Sequence, residues 1–400
     1  MYVNLFLRLL SVVFKFAMMI LAPKYMPTSD YVTLVVLIAA SALITTLCGL
    51  EFYTYSLKSF FEHDKPNIKN IIMNSSALYI ASYIVIIPIS LYSYGNYVEW
   101  SGGSLLLGAI FILEHLTTEI SRILIFLQRQ HRATIVLILK SGLWSILLIF
   151  YLTSPLQYSM RTILLIWLFS LGLSLFSGLL FLKLQELKND WGRLSNKWIK
   201  RGFYPAMKML AYSASFLIIF SYDKVFVKEY ASVDFGVAYI FFFSFYSFTL
   251  TILDATAISY YLPKLLSLKA SSSALDTEAH KFSRLVIQIS LISILSVSGI
   301  SLLAIELLNY SQYLNYTYLM PIMAISFLLY NIATYPQIKL YIANKEGILA
   351  LLNIFAMLMY ISITHFSTPL LGEIAIPLTM LLSFSFLYLG RIYFVKKLSL

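Results

Sequence analysis

The chain has 400 residues, of which 60% are hydrophobic and only 12% are charged, and its mean hydropathy is +0.82. A soluble globular protein carries about 25% charged residues, so this composition excludes that class. The same composition excludes disordered, collagen-like and coiled-coil proteins. The single cysteine, Cys48, excludes a disulfide framework and a cysteine-based metal site. The class that remains is an all-α polytopic membrane protein.

Apolar stretches of about 20 residues are long enough to cross a bilayer as helices, and the chain is predicted to contain twelve of them. None shows the alternation of a membrane β-barrel strand. The predicted spans cover residues 4–22, 32–52, 71–94, 103–127, 133–152, 162–182, 206–223, 235–262, 284–308, 318–338, 347–366 and 373–394.

The longest break between spans covers residues 183–205 and has six spans on either side. We therefore predict two six-helix halves around a central cavity, an arrangement common among secondary transporters. The halves are residues 1–182 and 206–400, and the break is a basic cytoplasmic linker. The linker is interpreted either as an amphipathic helix on the inner membrane surface, with Trp191, Leu194 and Trp198 on one face, or as a solvated connection.

The basic residues predict the orientation of the chain. Alternate breaks hold 20 of the 29 Lys and Arg residues, whereas the other breaks hold four. Positive charge collects on the cytoplasmic side of membrane proteins, so both termini are expected there. The rich set is Lys58, Lys65, Lys69, Arg129, Arg132, Lys183, Lys188, Arg193, Lys197, Lys200, Arg201, Lys264, Lys269, Lys281, Arg284, Lys339, Lys345, Arg391, Lys396 and Lys397. The net charge of +11 thus faces anionic lipid, and no nucleic-acid partner is expected.

Ionisable residues inside spans are informative, because each costs at least about 2.5–3.5 kcal/mol at the bilayer centre unless it meets a cavity or a partner. In the first span, spacings of four, three and four place four polar residues on one face: Asn4, Arg8, Ser11 and Lys15. Arg8 could instead extend to the inner surface, whereas Lys15 is deeper. In the seventh span, Lys208 shares a polar face with Tyr212 and Ser215.

Cations on facing helices would create a positive cavity that suits phosphate or pyrophosphate. We therefore predict that Arg8, Lys15 and Lys208 bind the substrate.

Two acids are candidates for coupling transport to an ion gradient. Glu119 and Arg122 are spaced to pair within the fourth span, which leaves Glu114 as the better functional candidate. Asp254 is the deepest acid of the second half and shares a face with Ser and Thr residues, which otherwise favour a local hydrogen-bond network between helices. Glu114 and Asp254 are therefore the predicted ion-coupling residues.

Enzymatic motifs are missing from the sequence. It contains no phosphate-binding loop of an ATPase, no zinc-ligand spacing and no nucleophile elbow. We expect a transporter rather than an enzyme, with no cofactor. A membrane polymerase would need a large outer loop, and the longest outer break is short.

Short motifs add a family resemblance. Gly49-Leu50-Glu51-Phe52-Tyr53, Tyr222-Asp223-Lys224-Val225-Phe226-Val227, Phe235-Gly236-Val237-Ala238-Tyr239 and Tyr261-Leu262-Pro263-Lys264-Leu265 stand at the ends or starts of spans. Together with the span count and the basic linker, they resemble the Wzx-type polysaccharide repeat-unit flippases of the multidrug/oligosaccharidyl-lipid/polysaccharide (MOP) exporter superfamily. Lys224 stands where that family has Arg.

The resemblance implies that an undecaprenyl-pyrophosphate-linked oligosaccharide, for O-antigen or capsule, moves across the bacterial inner membrane by alternating access. It implies a proton or sodium gradient as the driving force and matches Arg8 and Lys15 to the family's cationic first helix. It also implies a monomer, with membrane lipids and other membrane proteins of polysaccharide assembly as partners. The alternative is a multidrug or organic-cation antiporter of the same superfamily, although two bases and no acid in the first span disfavour it.

Overall fold

The computed structural model describes residues 2–61, 68–98, 102–127, 129–155, 158–182, 194–268 and 272–398. Every regular element in these ranges is helical, as the composition predicts. The chain divides into two compact units, Met1–Leu217 and Ile218–Leu400, and the division falls within one long helix, α9.

The first unit is built from the helices that precede α9 and from the first part of α9 itself. Its core includes contacts of α5 with α8 and of α2 with α4, and α1 packs on the α6–α7 segment. The helices are α1 (Tyr2–Tyr25), α2 (Thr28–Gly49), α3 (Tyr53–Phe61), α4 (Ile68–Tyr94), α5 (Gly103–Phe126), α6 (Gln130–Leu137), α7 (Trp144–Thr153), α8 (Met160–Leu182) and α9 (Asn196–Tyr230).

The second unit contains the rest of α9 and seven further helices. Its core is rich in aromatic side chains, and α13 and α15 both pack against α16. The helices are α10 (Val233–Leu253), α11 (Ser259–Ser267), α12 (Ser272–Leu307), α13 (Leu319–Ile332), α14 (Thr334–Ile342), α15 (Glu346–Leu371) and α16 (Ala375–Lys397).

All twelve predicted spans coincide with helices. Within the described residues, ten stretches are long and apolar enough to cross a membrane. One of these stretches, Glu346–Lys397, covers both α15 and α16, and α1 with its three cations is not among the ten. The chain is therefore a multi-pass, all-helical membrane protein. Its orientation, its membrane, the domain bounds and the central cavity stay predictions, and residues 183–193 of the proposed linker lie outside the described part.

Two segments of the chain depart from α-helical geometry. The segment Ile138–Leu143, between α6 and α7, and the segment Asp254–Ile258, between α10 and α11, are π-helical. A π turn inserts an extra residue and turns the following side chains to a new face, and such segments are frequent at functional sites. Lys140 lies in the first segment and Asp254 begins the second.

One basic residue of the predicted cytoplasmic set is completely buried. This residue is Arg391, in α16, which continues to Lys397. Its guanidinium donates to the carbonyl oxygen of Ala333 at 3.2 Å and to Asn353 Oδ1 at 3.1 Å. Backbone and amide oxygens can solvate a cation in this way, and a count of basic residues along the sequence does not reveal them.

Candidate functional site

A buried ion pair joins two helical segments of the first unit. Lys140 Nζ lies 2.5 Å from Glu114 Oε2 and also donates to Thr118 Oγ1 at 2.6 Å. A third donation goes to the backbone carbonyl oxygen of Glu114 at 3.0 Å. The ammonium group thus has all three of its protons engaged by α5, which fixes its position tightly.

The π-helical segment explains why Lys140 reaches α5. Ser141, the next residue, forms a hydrogen bond of 2.7 Å with Ser11 of α1, so this face of the segment contacts α1. Gly142 allows that approach, since a Cβ atom at this position would lie 3.3 Å from Ser11 Oγ. The segment therefore contacts α1 through Ser141 while Lys140 extends to Glu114.

One indole ring contacts the carboxylate of Glu114, and a second indole stacks on the first. Trp167 of α8 donates its Nε1 proton to Glu114 Oε1 at 2.9 Å. Trp144 stacks on Trp167 with ring centroids 5.1 Å apart and an angle of 14° between the ring planes. Both carboxylate oxygens of Glu114 therefore accept a hydrogen bond, one from an ammonium and one from an indole.

Lys15 lies near this ion pair. We call the group of Lys15, Glu114, Lys140 and Trp167 the Lys15 site. The Lys15 side chain is exposed and lies within electrostatic reach of Glu114 and Lys140. Lys140 is largely enclosed and neutralised by Glu114, so Lys15 is the accessible cation of the site. With two cations and one carboxylate the site carries a net positive charge, which attracts an anion.

The structure brings together two of the five predicted site residues, Lys15 and Glu114. The side chain of Arg8, in α1, lies outside the described residues. Lys208 lies in the part of α9 that belongs to the first unit, with Nζ 4.3 Å from the centroid of the Tyr204 ring. Asp254 lies in the second unit, where its side chain is exposed.

Sequence reasoning missed two members of the site, Lys140 and Trp167. Glu114 was predicted as a site residue, but its pairing with Lys140 was not. The pair forms across helices 26 residues apart in sequence, which spacing within one helix does not reveal. A lysine and a tryptophan inside apolar spans were the signals available, because each needs a polar partner there.

The first unit also contains a second group of charged side chains, around Glu119 and Arg122. Among the described residues, no cluster of three or more His, Cys, Asp or Glu side chains could hold a metal ion.

No protein-family profile matches the chain, and no curated protein sequence matches it significantly. Solved structures do match over nearly its whole length. An inward-facing multidrug resistance MATE family transporter of the MOP superfamily is 12% identical over 97% of this chain and 94% of its own, with a TM-score of 0.74. The chain has the MATE fold.

Two further matches carry the same MATE fold. An outward-facing multidrug resistance MATE family transporter is 13% identical, with a TM-score of 0.60 over 99% of this chain and 94% of its own. A MOP superfamily transporter from Pyrococcus furiosus, described as having a binding pocket of reverse polarity that suggests a different function, is 14% identical, with a TM-score of 0.60 over 100% of this chain and 95% of its own. The MATE fold agrees with the superfamily that the sequence motifs resemble, while the flippase subfamily stays a prediction.

Proposed function

We propose that this protein is a secondary transporter of the MOP type that exports an anionic, amphipathic substrate. The observation that carries the proposal is the Lys15 site, in which an accessible ammonium lies beside a neutralised ion pair. An ammonium in an environment of low dielectric constant binds a phosphate or pyrophosphate more strongly than it would in water. Trp167, which stacks on Trp144, holds the other oxygen of Glu114.

The fold likeness supports the transporter class through neighbours that are multidrug transporters. On that ground the multidrug alternative has more support than a polysaccharide flippase. The charge of the site favours an anionic substrate instead, because organic cations would need an acidic site and the Lys15 site is basic. The Pyrococcus furiosus protein, with its pocket of reverse polarity, is a precedent for different pocket charges on one fold.

Within the anionic class, an undecaprenyl-pyrophosphate-linked oligosaccharide is our specific candidate. It combines a diphosphate for Lys15 with an apolar chain, and the motifs that resemble the Wzx-type flippases favour it. Asp254 and Glu114 remain the proposed ion-coupling residues. Proton or sodium coupling, the inner membrane and a monomeric state are parts of the same proposal.

The charge of Lys15 can be tested on purified protein. Lys15→Ala should weaken the binding of a short-chain polyprenyl pyrophosphate roughly ten- to a hundredfold, which corresponds to a charge-assisted hydrogen bond of about 1.5–3 kcal/mol. Quenching of tryptophan fluorescence provides the measurement, because Trp167 lies in the site. Lys24→Ala is the matched control, since Lys24 is an exposed lysine at the end of the same helix.

Unchanged pyrophosphate binding by Lys15→Ala would contradict the proposed anion site. A parallel titration with an organic cation such as tetraphenylphosphonium separates the two substrate classes. Tight cation binding with no pyrophosphate binding would establish the multidrug alternative. In the native host, loss of the gene should leave complete lipid-linked repeat units on the cytoplasmic leaflet, and normal surface glycan would contradict the flippase.

A further inference from the structure

A second group of charged side chains lies in the first unit, apart from the Lys15 site. Glu119 Oε1 accepts from Arg122 at 2.5 Å, and Glu119 Oε2 accepts from the Tyr79 hydroxyl at 2.7 Å. Arg122 also lies over the Tyr53 ring, 3.6 Å from its centroid. Both oxygens of Glu119 therefore accept strong hydrogen bonds, which is the environment of an ionised carboxylate. The positive charge of Arg122 is paired with Glu119.

A further carboxylate, Glu51, is held next to this pair by an unusual turn. Helix α2 ends at Gly49, and the next two residues, Leu50 and Glu51, have φ angles of 50° and 51°. The left-handed conformation costs about 1–2 kcal/mol for a residue with a side chain, so it persists only where the surrounding structure enforces it. Here the turn buries Glu51, which is only 7% exposed, within electrostatic reach of Arg122 and Glu119.

Charge is not balanced in this group, which we call the Glu119 cluster: Glu51, His115, Glu119 and Arg122. Two carboxylates face one guanidinium, so the cluster is one positive charge short when His115 is neutral. An uncompensated buried charge costs several kcal/mol, and a buried group avoids that cost by binding a proton. Glu51 lies beyond the end of α2 and of the apolar stretch Thr28–Gly49. Burial raises the pKa of its carboxyl, and the nearby Arg122 opposes this effect.

His115 gives an independent indication that the cluster binds a ligand. The ring is completely buried, and its Nδ1 atom pairs with the Tyr83 hydroxyl at 2.5 Å. Its Nε2 atom has no hydrogen-bond partner among the described residues and points toward Glu119 Oε1, 4.0 Å away. Gly49 borders this gap, because a Cβ atom there would lie 3.0 Å from Nε2. A proton on Nε2 would point at an ionised carboxylate.

We propose that the Glu119 cluster is a proton-binding site in which Glu51 carries one exchangeable proton, while His115, next to Glu119, stays neutral. The titratable and charged groups around these two come from several elements. They are Cys48 of α2, Tyr53 of α3, Tyr79 and Tyr83 of α4, Glu119 and Arg122 of α5, and Lys140 of the π-helical segment. Ser213 of α9 and Tyr53 hydrogen-bond to the Glu51 side chain.

A role in transport rests on the function proposed above. Helix α5 carries Glu114 of the Lys15 site and, one residue later, His115 of the Glu119 cluster. Lys140 interacts electrostatically with His115, so a change of charge at one site alters the electrostatic potential at the other. A proton taken up by the Glu119 cluster adds positive charge near the Lys15 site, which strengthens anion binding there, and by linkage a bound anion strengthens proton binding.

The proton site is tested without any transport assay. The thermal unfolding midpoint of the purified protein is measured from about pH 5 to about pH 9 for the wild type, Glu51→Gln and the control Glu306→Gln. The raised pKa of Glu51 means that the folded state holds the proton more tightly than the unfolded chain. Stability from this group is therefore greatest at low pH and is lost as the pH rises through the folded-state pKa.

We expect the wild type and Glu306→Gln to share a falling midpoint and Glu51→Gln to lose most of that fall. Glu306 is an exposed glutamate of α12. An unchanged pH dependence in Glu51→Gln would overturn the proposal. So would a midpoint shift on replacing potassium by sodium at constant ionic strength, because it would indicate a metal-cation site.

If Glu51→Gln does not fold, infrared spectroscopy of the wild type tests the proton site instead. We expect a protonated carboxyl band at neutral pH that disappears as the pH rises. No such band at any pH would overturn the proton site. A positive result together with a failed Lys15→Ala prediction would leave the proton site established and the anion-transport proposal rejected.

Discussion

The two units bury their charged side chains differently. In the second unit, Asp223 and Lys224 form a balanced pair of neighbours, and both are almost fully enclosed. In the first unit, the Lys15 site has an excess of positive charge and the Glu119 cluster an excess of negative charge. A balanced pair needs no further charge, whereas each unbalanced group is completed by a ligand or a proton. We therefore propose ligand-dependent behaviour for the first unit and a structural role for the pair in the second.

The Asp223–Lys224 pair is well satisfied by its surroundings. Lys224 Nζ lies 3.1 Å from Asp223 Oδ1, donates to the carbonyl oxygen of Phe220 at 2.5 Å and lies 3.7 Å from the centroid of the Phe243 ring. Asp223 Oδ2 accepts from the Tyr239 hydroxyl at 2.9 Å. Each charge thus has several partners, which is the condition under which a buried pair is tolerated.

The largest effect should follow from breaking this pair. Asp223→Asn removes the negative charge but keeps the shape, so Lys224 stays buried without an opposite charge. We expect a loss of about 3–5 kcal/mol in unfolding free energy. The fall in the thermal unfolding midpoint of purified protein in detergent measures it. Asp276→Asn is the matched control, because Asp276 is an exposed aspartate in the same unit.

A double substitution sharpens the result. Asp223→Asn with Lys224→Met removes both charges, and it should recover most of the lost stability, because a buried ion pair contributes little net stability compared with apolar side chains of similar size. A wild-type midpoint for Asp223→Asn alone would contradict the structural role of the pair.

The fold and one local pair could be predicted from sequence. Apolar spans of bilayer length predict helices directly, and each of the twelve coincides with helix in the described residues, where ten stretches are long and apolar enough to cross a membrane. The pairing of Glu119 with Arg122 follows from their spacing of three on one helix, and the distance of 2.5 Å confirms it. Both predictions use information that is local in the chain.

The parts that failed depend on contacts between distant segments. The partner of Glu114 comes from another helix, through a π-helical turn that shifts the side-chain register. The burial of Arg391 was not predicted, because the oxygens that accept its hydrogen bonds belong to Ala333 and Asn353, which are distant in the sequence. The burial of Glu51 could not be predicted either, because it depends on a left-handed turn between non-glycine residues.

The excess charge of the Lys15 site can be tested by removing its carboxylate. Glu114→Gln keeps an acceptor for Trp167 but removes the only carboxylate of the site. Lys140 retains Thr118 and a backbone carbonyl, so the loss of stability should be about 1–3 kcal/mol, smaller than for Asp223→Asn. Pyrophosphate should bind more tightly, because the site then has two cations and no anion.

Glu114→Gln should thus lower stability but strengthen pyrophosphate binding, whereas general misfolding would weaken both. Titration with inorganic pyrophosphate and a thermal unfolding scan measure both on one sample. Weaker anion binding in Glu114→Gln than in the wild type would contradict the proposed electrostatics. Glu306→Gln again serves as the control, since it removes the same charge from an exposed position.

The smallest effect concerns the contact that holds α1 on the π-helical segment. Ser11→Ala removes the 2.7 Å hydrogen bond to Ser141, whose own hydroxyl can still donate to the carbonyl oxygen of Leu137. Ser141 is thus not left without a partner, and the loss should be about 0.5–1 kcal/mol. Ser301→Ala, at a buried serine whose hydroxyl donates to the carbonyl oxygen of Ser298 in the same helix, should cost less. The functional consequence should exceed the change in stability, because this contact positions α1 and therefore Lys15. If Ser11→Ala binds pyrophosphate as tightly as Ser301→Ala does, the position of Lys15 is set by packing around Gly142 rather than by the serine pair.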